Sequence, residues 1–319
     1  MLLPSLSLMP HTQSSSLNSE TSSGASWWWI LAIIYSLSGL TSLAYEVLWA
    51  RMLSMQFGVS IFGVVLTVAA FMIGLGLGSL AGVRSARLCS KPLILFAALE
   101  ALIALYALLL PNLLQSASAW MASIAVQLSL VQWYLLQGAG TLCLLLVPAF
   151  AMGVGFSLML KVIERTPLSL GKLYGLNTLG GAVGALFPLW SLPVLGWTVS
   201  VRIVALLGLV IGGAAFLLSR FAQAGDSKIQ PIENNSGSRP PLPVLLIYAG
   251  IGAGSIMLEV GWIRLYGMIM LRTEYVLGVI LAVFLLGIAL GSMLLPRIHK
   301  YWMSVSLPFV IGGGVLLSL

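Results

Sequence analysis

Apolar runs of about 20 residues, separated by short polar connections, fill the chain from Trp27 onward. Wound as an α-helix, such a run is long enough to cross the ~30 Å hydrocarbon layer of a bilayer. The pattern predicts nine spans, near 27–49, 59–82, 92–113, 137–160, 174–196, 199–219, 243–265, 275–296 and 303–319. Trp27, Trp28, Trp29, Trp133, Tyr134, Trp197, Tyr301 and Trp302 sit at the expected boundaries, where amphipathic rings favour the headgroup level. The stretch 117–131 is apolar but holds Gln127 and serines. It reads as an interfacial helix or as part of the fourth span. The expected fold class is all-α: a polytopic transmembrane helix bundle.

Composition excludes the soluble alternative. Hydrophobic residues make up 60% of the chain and charged residues 7%, with a mean hydropathy of +1.07. A soluble domain would carry the surplus as adhesive surface patches, whereas hydrocarbon as solvent accounts for it. The formal charge of +7 does not point to nucleic acid, because the bases occupy short connections between apolar runs. Eleven of them (Arg84, Arg87, Lys91, Lys161, Arg165, Lys172, Arg220, Lys228, Arg239, Arg297 and Lys300) follow even-numbered spans. Only Arg51, Arg202, Arg264 and Arg272 fall on the other side. By the positive-inside rule the N-terminus is expected in the cytoplasm, and the protein in a cell membrane of the bacterial inner-membrane type.

Residues 1–26 are rich in Ser and Thr and lack Lys and Arg, so they read as a disordered cytoplasmic tail and not as a secretory signal. Residues 27–219 read as a first six-span bundle, 220–242 as a polar cytoplasmic linker, and 243–319 as an incomplete second bundle of about three spans. Cys89 and Cys143 are far apart, and His11 and His299 are isolated. No disulfide, metal site or cofactor is expected.

A shift of 213 residues aligns the two halves without a gap. Tyr35, Gly39, Ser42, Glu46, Trp49 and Arg51 meet Tyr248, Gly252, Ser255, Glu259, Trp262 and Arg264. Phe71, Gly74, Leu77, Gly78, Ser79 and Arg84 meet Phe284, Gly287, Leu290, Gly291, Ser292 and Arg297. Chance matching of apolar segments pairs Leu with Leu, but does not put Glu, Trp, Arg and Gly-Ser in one register. Six spans separate the copies, so both cross in the same direction. That is a parallel repeat of the major-facilitator kind, with six spans in the first copy and about three in the second. The sequence stops inside an apolar run at Leu319, which suggests truncation relative to a longer ancestor, or a fragment.

Two passages carry a family resemblance. One is Tyr45-Glu46-Val47-Leu48-Trp49-Ala50-Arg51-Met52-Leu53, followed by Ala70-Phe71-Met72-Ile73-Gly74-Leu75-Gly76-Leu77-Gly78-Ser79. The other is Leu173-Tyr174-Gly175-Leu176-Asn177-Thr178-Leu179-Gly180-Gly181-Ala182-Val183-Gly184-Ala185, with Leu192-Pro193-Val194-Leu195-Gly196 after it. Over residues 30–319 the chain resembles the membrane region of bacterial fused facilitator/spermidine synthase proteins. The resemblance implies polyamine chemistry and, in the family, a cytoplasmic aminopropyltransferase-like domain. This chain has no soluble segment long enough for such a domain. Its one glycine-spaced string, Gly74-x-Gly76-x-Gly78, lies inside a span and lacks the strand–loop–helix setting of a nucleotide site. No catalytic residue is therefore assigned, and aminopropyl transfer is not expected of this chain itself. The segment from Gly78 to Arg87 occupies the position of the facilitator signature loop, with Gly82 near the place of the usual Asp.

Four residues are candidates for a substrate or ion path. Glu46 and Glu259 are expected near the outer ends of spans one and seven. Arg51 and Arg264 follow five residues later, turned about 140° around the helix, so the pairs do not share a face. The acids form either symmetric sites on a cation path, for a polyamine or a proton, or structural ion pairs with basic residues such as Arg51 and Arg264. Glu100 is expected mid-span, where an acid costs ~2.5–3.5 kcal/mol to insert and must be partnered or protonated. Asn177, with Thr178, opens span five and serves either interhelical hydrogen bonding or substrate contact. Glycines 74, 78, 82, 180, 184, 287 and 291 recur at four-residue spacing and are expected to let helix backbones approach closely.

These features leave three functions open: a transporter-like protein for a small cation such as a polyamine, a membrane anchor for a separate aminopropyltransferase, or a non-catalytic structural or assembly partner. Expected partners are the lipid bilayer, a polyamine-type cation, a separate aminopropyltransferase domain or a second copy of the chain. Nucleic acid is excluded.

Overall fold

A computed structural model describes residues 26–56, 61–164, 166, 169–225, 241–270 and 273–298. The described residues form seven helices and no strand: α1 (Ser26–Gln56), α2 (Ile61–Leu88), α3 (Pro92–Ala125), α4 (Leu130–Ile163), α5 (Leu170–Gly225), α6 (Leu242–Ile269) and α7 (Thr273–Ile298). All seven are long and apolar enough to cross a membrane. Local chemistry explains several of the breaks. Pro92 opens α3, where its missing N–H costs nothing. Ser129 and Gln132 form a reciprocal capping box that starts α4.

The 56 residues of α5 are two rods, not one. Gly196 has φ +69° and ψ −177°, a conformation closed to residues with a Cβ, and it reverses the chain. The directions follow from the packing. Before the bend, Gly180 abuts Ser36 and Gly184 abuts Leu40 of α1, so this half runs parallel to α1. After it, Gly208 faces Ala104 and Gly212 faces Ala97 of α3, so that half runs antiparallel to α3. Helices α1 and α3 are themselves parallel, since Ser38 meets Glu100 and Trp49 meets Tyr106. The two halves of α5 therefore form an antiparallel hairpin, as the expected spans 174–196 and 199–219 require. The expected ninth span, the tail before Ser26, residues 226–240 of the linker, and His11, His299 and Lys300 lie outside the described residues.

Three expectations are corrected. Residues 117–125 continue α3, so they are neither an interfacial helix nor part of the fourth span. The segment Gly78–Arg87 is not a loop, because α2 stays helical to Leu88 and the connection begins after it. Helix α1 extends to Gln56, so Glu46 stands well inside the helix and not near its end. In each case an apolar or small-residue sequence continued a helix past the point where hydropathy alone faded.

Small residues govern the closest contacts. Helices α2 and α4 pack in parallel with almost no side chain between them: a methyl on Gly78 would collide with the Phe150 carbonyl oxygen, one on Gly74 with Ala149, and one on Gly82 with Ser157. Ser157 Oγ donates to the Ser79 carbonyl at 2.9 Å across the same seam. This is the packing expected of small residues four apart. By contrast, added methyls on Gly252, Gly287 and Gly291 of α6 and α7 meet open space.

Pro148, inside α4, cannot donate to the Leu144 carbonyl one turn earlier. The Tyr106 hydroxyl of α3 donates to that carbonyl at 2.5 Å, supplying the bond that the proline removed. At the C-terminal end of the α2–α4 seam, the Lys161 ammonium donates to the Ala86 carbonyl, and to the Cys89 carbonyl at 3.1 Å, closing the C-terminus of α2. Helix α7 lies antiparallel to the first half of α5, with Gly175 against Ala289 and Gly278 against Ala185. Helix α6 contributes only Ile263 to the buried set. The helix directions gather Arg84, Arg87, Lys91, Lys161, Lys172 and Arg220 at one end of the bundle and leave Arg51 and Arg202 at the other.

Candidate functional site

Glu100 faces the bundle interior and is 6% exposed. The Ser38 hydroxyl of α1 donates to its Oε1 at 2.5 Å, so the acid that looked solitary in the sequence has a partner. Gly208 and Gly212 bring α5 close to α3 beside this acid: a methyl on Gly212 would lie 3.0 Å from the Ala97 carbonyl oxygen, and one on Gly208 3.3 Å from Ala104 Cβ. The Tyr45 phenol interacts electrostatically with Glu100. Tyr45 stacks on Trp49 with ring centroids 4.9 Å apart, and Trp49 in turn meets Phe71 at 5.8 Å and the edge of Tyr106 at 6.4 Å. The Tyr45 hydroxyl and the Trp49 Nε1 are buried and find no partner among the described residues. An acid, an aromatic layer and unspent hydrogen-bonding groups therefore share the interior between α1, α3 and α5.

Glu46 is also buried, at 5% exposed, next to the part of α1 that packs with α5 and α7. There Val47 and Ala50 of α1 pack with Ala182 and Ala185 of α5, Ile263 of α6, and Leu277, Leu281 and Ala282 of α7. Glu259 of α6 lies within electrostatic range of Glu46. Two negative charges in apolar surroundings repel each other, and a proton or cation held between them removes the repulsion. The structure thus places two acids that stand 213 residues apart in the chain within electrostatic range of each other, while Glu100 is bonded to Ser38.

Asn177 is committed to helix packing. Its Nδ2 donates to the Tyr35 carbonyl of α1 at 2.7 Å, and Ser36 Oγ donates to the Leu176 carbonyl at 2.9 Å beside it. Both bonds tie α5 to α1. Asn177 lies two turns inside α5, which starts at Leu170, so it does not open the helix as expected. Thr178 bonds within its own helix, to the Tyr174 carbonyl. Arg51 lies beside Tyr275 of α7 and lines a cavity between α1, α5 and α7, whereas Arg264 is exposed on α6. Sequence reasoning missed Ser38, Tyr45 and Tyr106. For Tyr106 a signal existed, because Pro148 orphans a carbonyl one turn upstream and so calls for a donor. For Ser38 none existed, since its role depends on how α1 and α3 face each other.

No family model matches the chain, and no curated protein or solved structure is significantly similar to it.

Proposed function

We propose that this protein is a facilitator-like membrane protein that handles a small cation, of polyamine or proton type, at Glu46 and Glu259. The observation that carries the reading is that these two repeat-equivalent acids, Glu46 on α1 and Glu259 on α6, lie within electrostatic range of each other. Paired carboxyls in an apolar setting attract a cation by charge and release it when a proton takes its place. The parallel repeat is part of the same proposal. The family resemblance of the Tyr45–Leu53 and Leu173–Ala185 passages favours a polyamine as the cation, and the charge asymmetry of the bundle favours a cytoplasmic N-terminus.

The test is uptake of labelled spermidine, and of protons reported by an internal dye, into vesicles holding the purified protein. Wild type should give saturable uptake of one of the two, reduced at least tenfold by Glu46→Gln and by Glu259→Gln, with the double variant no worse than the singles. Absence of both fluxes together with absence of spermidine binding overturns the proposal, as does flux that both substitutions leave unchanged.

A further inference from the structure

Glu100 stands apart from the Glu46–Glu259 pair, since Ser38, its partner on α1, lies roughly 12 Å along the helix axis from Glu46. It is buried, and the Ser38 hydroxyl is its one hydrogen-bond partner among the described residues. The Tyr45 hydroxyl is buried too, lies within electrostatic range of the carboxyl and has no partner among the described residues. Ser38 and Tyr45 are two turns apart and fall on one face of α1. The helices packed on α3 set no cation against the acid. Helix α4 has no ionisable side chain between Tyr134 and Lys161 except the exposed Cys143, and Lys161 is bonded to carbonyls at the end of α2. The second half of α5 presents Gly208 and Gly212 to α3, and its Arg202 and Arg220 are exposed. The ionisable side chains of α1 are Tyr35, within range of Tyr174 of α5, then Tyr45, Glu46 and Arg51, the last roughly 20 Å along the axis from Ser38. On α3 itself only Tyr106 is left, and its hydroxyl is given to the Leu144 carbonyl. We propose that Glu100 is a proton-binding site, whose carboxyl takes up and releases one proton between the hydroxyls of Ser38 and Tyr45.

An ionised carboxyl without a cation in an apolar interior is costly, and a proton is the ligand that removes the charge. The two hydroxyls suit both forms of the acid. Ionised, the carboxylate accepts from Ser38 and has a second donor in Tyr45. Neutral, it still accepts from Ser38 at Oε1, and its own O–H has an acceptor in the phenol oxygen, because a hydroxyl donates one hydrogen bond and accepts others. The unspent Tyr45 hydroxyl thus separates a carboxyl that exchanges its proton from one packed permanently neutral. A metal ion fits less well. Hard divalent cations take about six to eight oxygens, whereas this site offers one carboxyl and two hydroxyls, the nearby Thr41 hydroxyl being bonded to the Ser38 carbonyl. Uptake forms one O–H bond on the carboxyl, and release returns the proton to water. The nearer boundary is the start of α3, roughly 12 Å from Glu100, at the basic end of the bundle.

The experiment is infrared spectroscopy of the full chain in lipid, titrated from mildly acidic to alkaline pH. Wild type should show the C=O stretch of one protonated carboxyl at neutral pH that is absent from Glu100→Gln and kept in Glu46→Gln and Glu259→Gln. The band should disappear reversibly as the pH rises while the helices stay intact. Ser38→Ala and Tyr45→Phe each remove a hydrogen bond to the ionised form, so the band should persist to a pH about one unit higher, a tenfold change in proton affinity. Both variants keep the carboxyl, so the site remains testable if Glu100→Gln does not fold. A spectrum with no such band, a band that survives at every pH at which the protein is folded, or one indifferent to both hydroxyl variants overturns the proposal. Loss of the band on adding sodium chloride at constant pH overturns it as well, since a metal ion then replaces the proton. Absence of spermidine and proton flux in vesicles bears on Glu46 and Glu259 and leaves this band in place.

Discussion

Replacing Tyr106 by Phe removes one hydroxyl and keeps the ring that meets Trp49 edge-on. That hydroxyl is the donor to the Leu144 carbonyl, which Pro148 leaves without its helical N–H. Its loss forfeits a bond worth about 0.5–1.5 kcal/mol and strands a carbonyl at a further cost of about 1–3 kcal/mol if no water reaches it. Interhelical bonds in membranes average only ~0.6 kcal/mol and reach ~1.7, so a destabilisation of about 1–2 kcal/mol is expected. In a Pro148→Ala background the helix supplies its own donor to Leu144, and the same Tyr106→Phe change should cost no more than ~0.6 kcal/mol. The double-mutant cycle should therefore give a coupling near 1 kcal/mol, of the size seen for residues sharing one network. The assay is reversible unfolding of the detergent-solubilised protein, followed by steric trapping or by denaturant titration. Equal costs in the two backgrounds would refute the claim that Tyr106 compensates for the proline.

The remaining predictions concern packing and orientation. Gly78→Ala should destabilise the bundle by about 1–3 kcal/mol, because its methyl runs into the Phe150 backbone. Gly291→Ala, its counterpart in the repeat, meets open space and should be neutral or stabilising by up to ~1 kcal/mol in the same unfolding assay. Asn177→Ala should cost about 0.6–1.7 kcal/mol through loss of the bond to the Tyr35 carbonyl, whereas Thr178→Val, which loses only a bond within its own helix, should cost less. Cys89, partly exposed at the basic end of the bundle, should react with a membrane-impermeant maleimide in inverted vesicles and resist it in intact cells. The reverse pattern would turn the proposed topology over.

Hydropathy revealed the helices because each of them must satisfy its backbone internally and offer apolar side chains to lipid, and both demands are written residue by residue. The hairpin in α5 was legible at Gly196, where apolar runs on either side are too long for one crossing. Helix ends were less legible. Segments such as Gly78–Arg87 and 117–125 stay helical although hydropathy alone fades within them. The site was legible only in part. Glu46, Glu100 and Glu259 stand out as costly residues in hydrocarbon, but their partners do not, since Ser38 and Tyr45 become relevant only once α1, α3 and α5 are brought face to face.

The same point limits what an internal repeat can predict. Gly39, Gly74 and Gly78 are wedged against neighbouring backbones, while Gly252, Gly287 and Gly291 occupy the same sequence register with nothing against them. Trp49 is buried in an aromatic layer, but its counterpart Trp262 meets Tyr266 of its own helix. Residues aligned by the 213-residue shift thus have different surroundings, because α1 and α2 pack on α5 and α4 whereas α6 contributes only Ile263 to the buried set. The acids share this asymmetry in part, since Glu46 is buried and Glu259 half-buried, and the proposed pairing needs only that the two stand within electrostatic range.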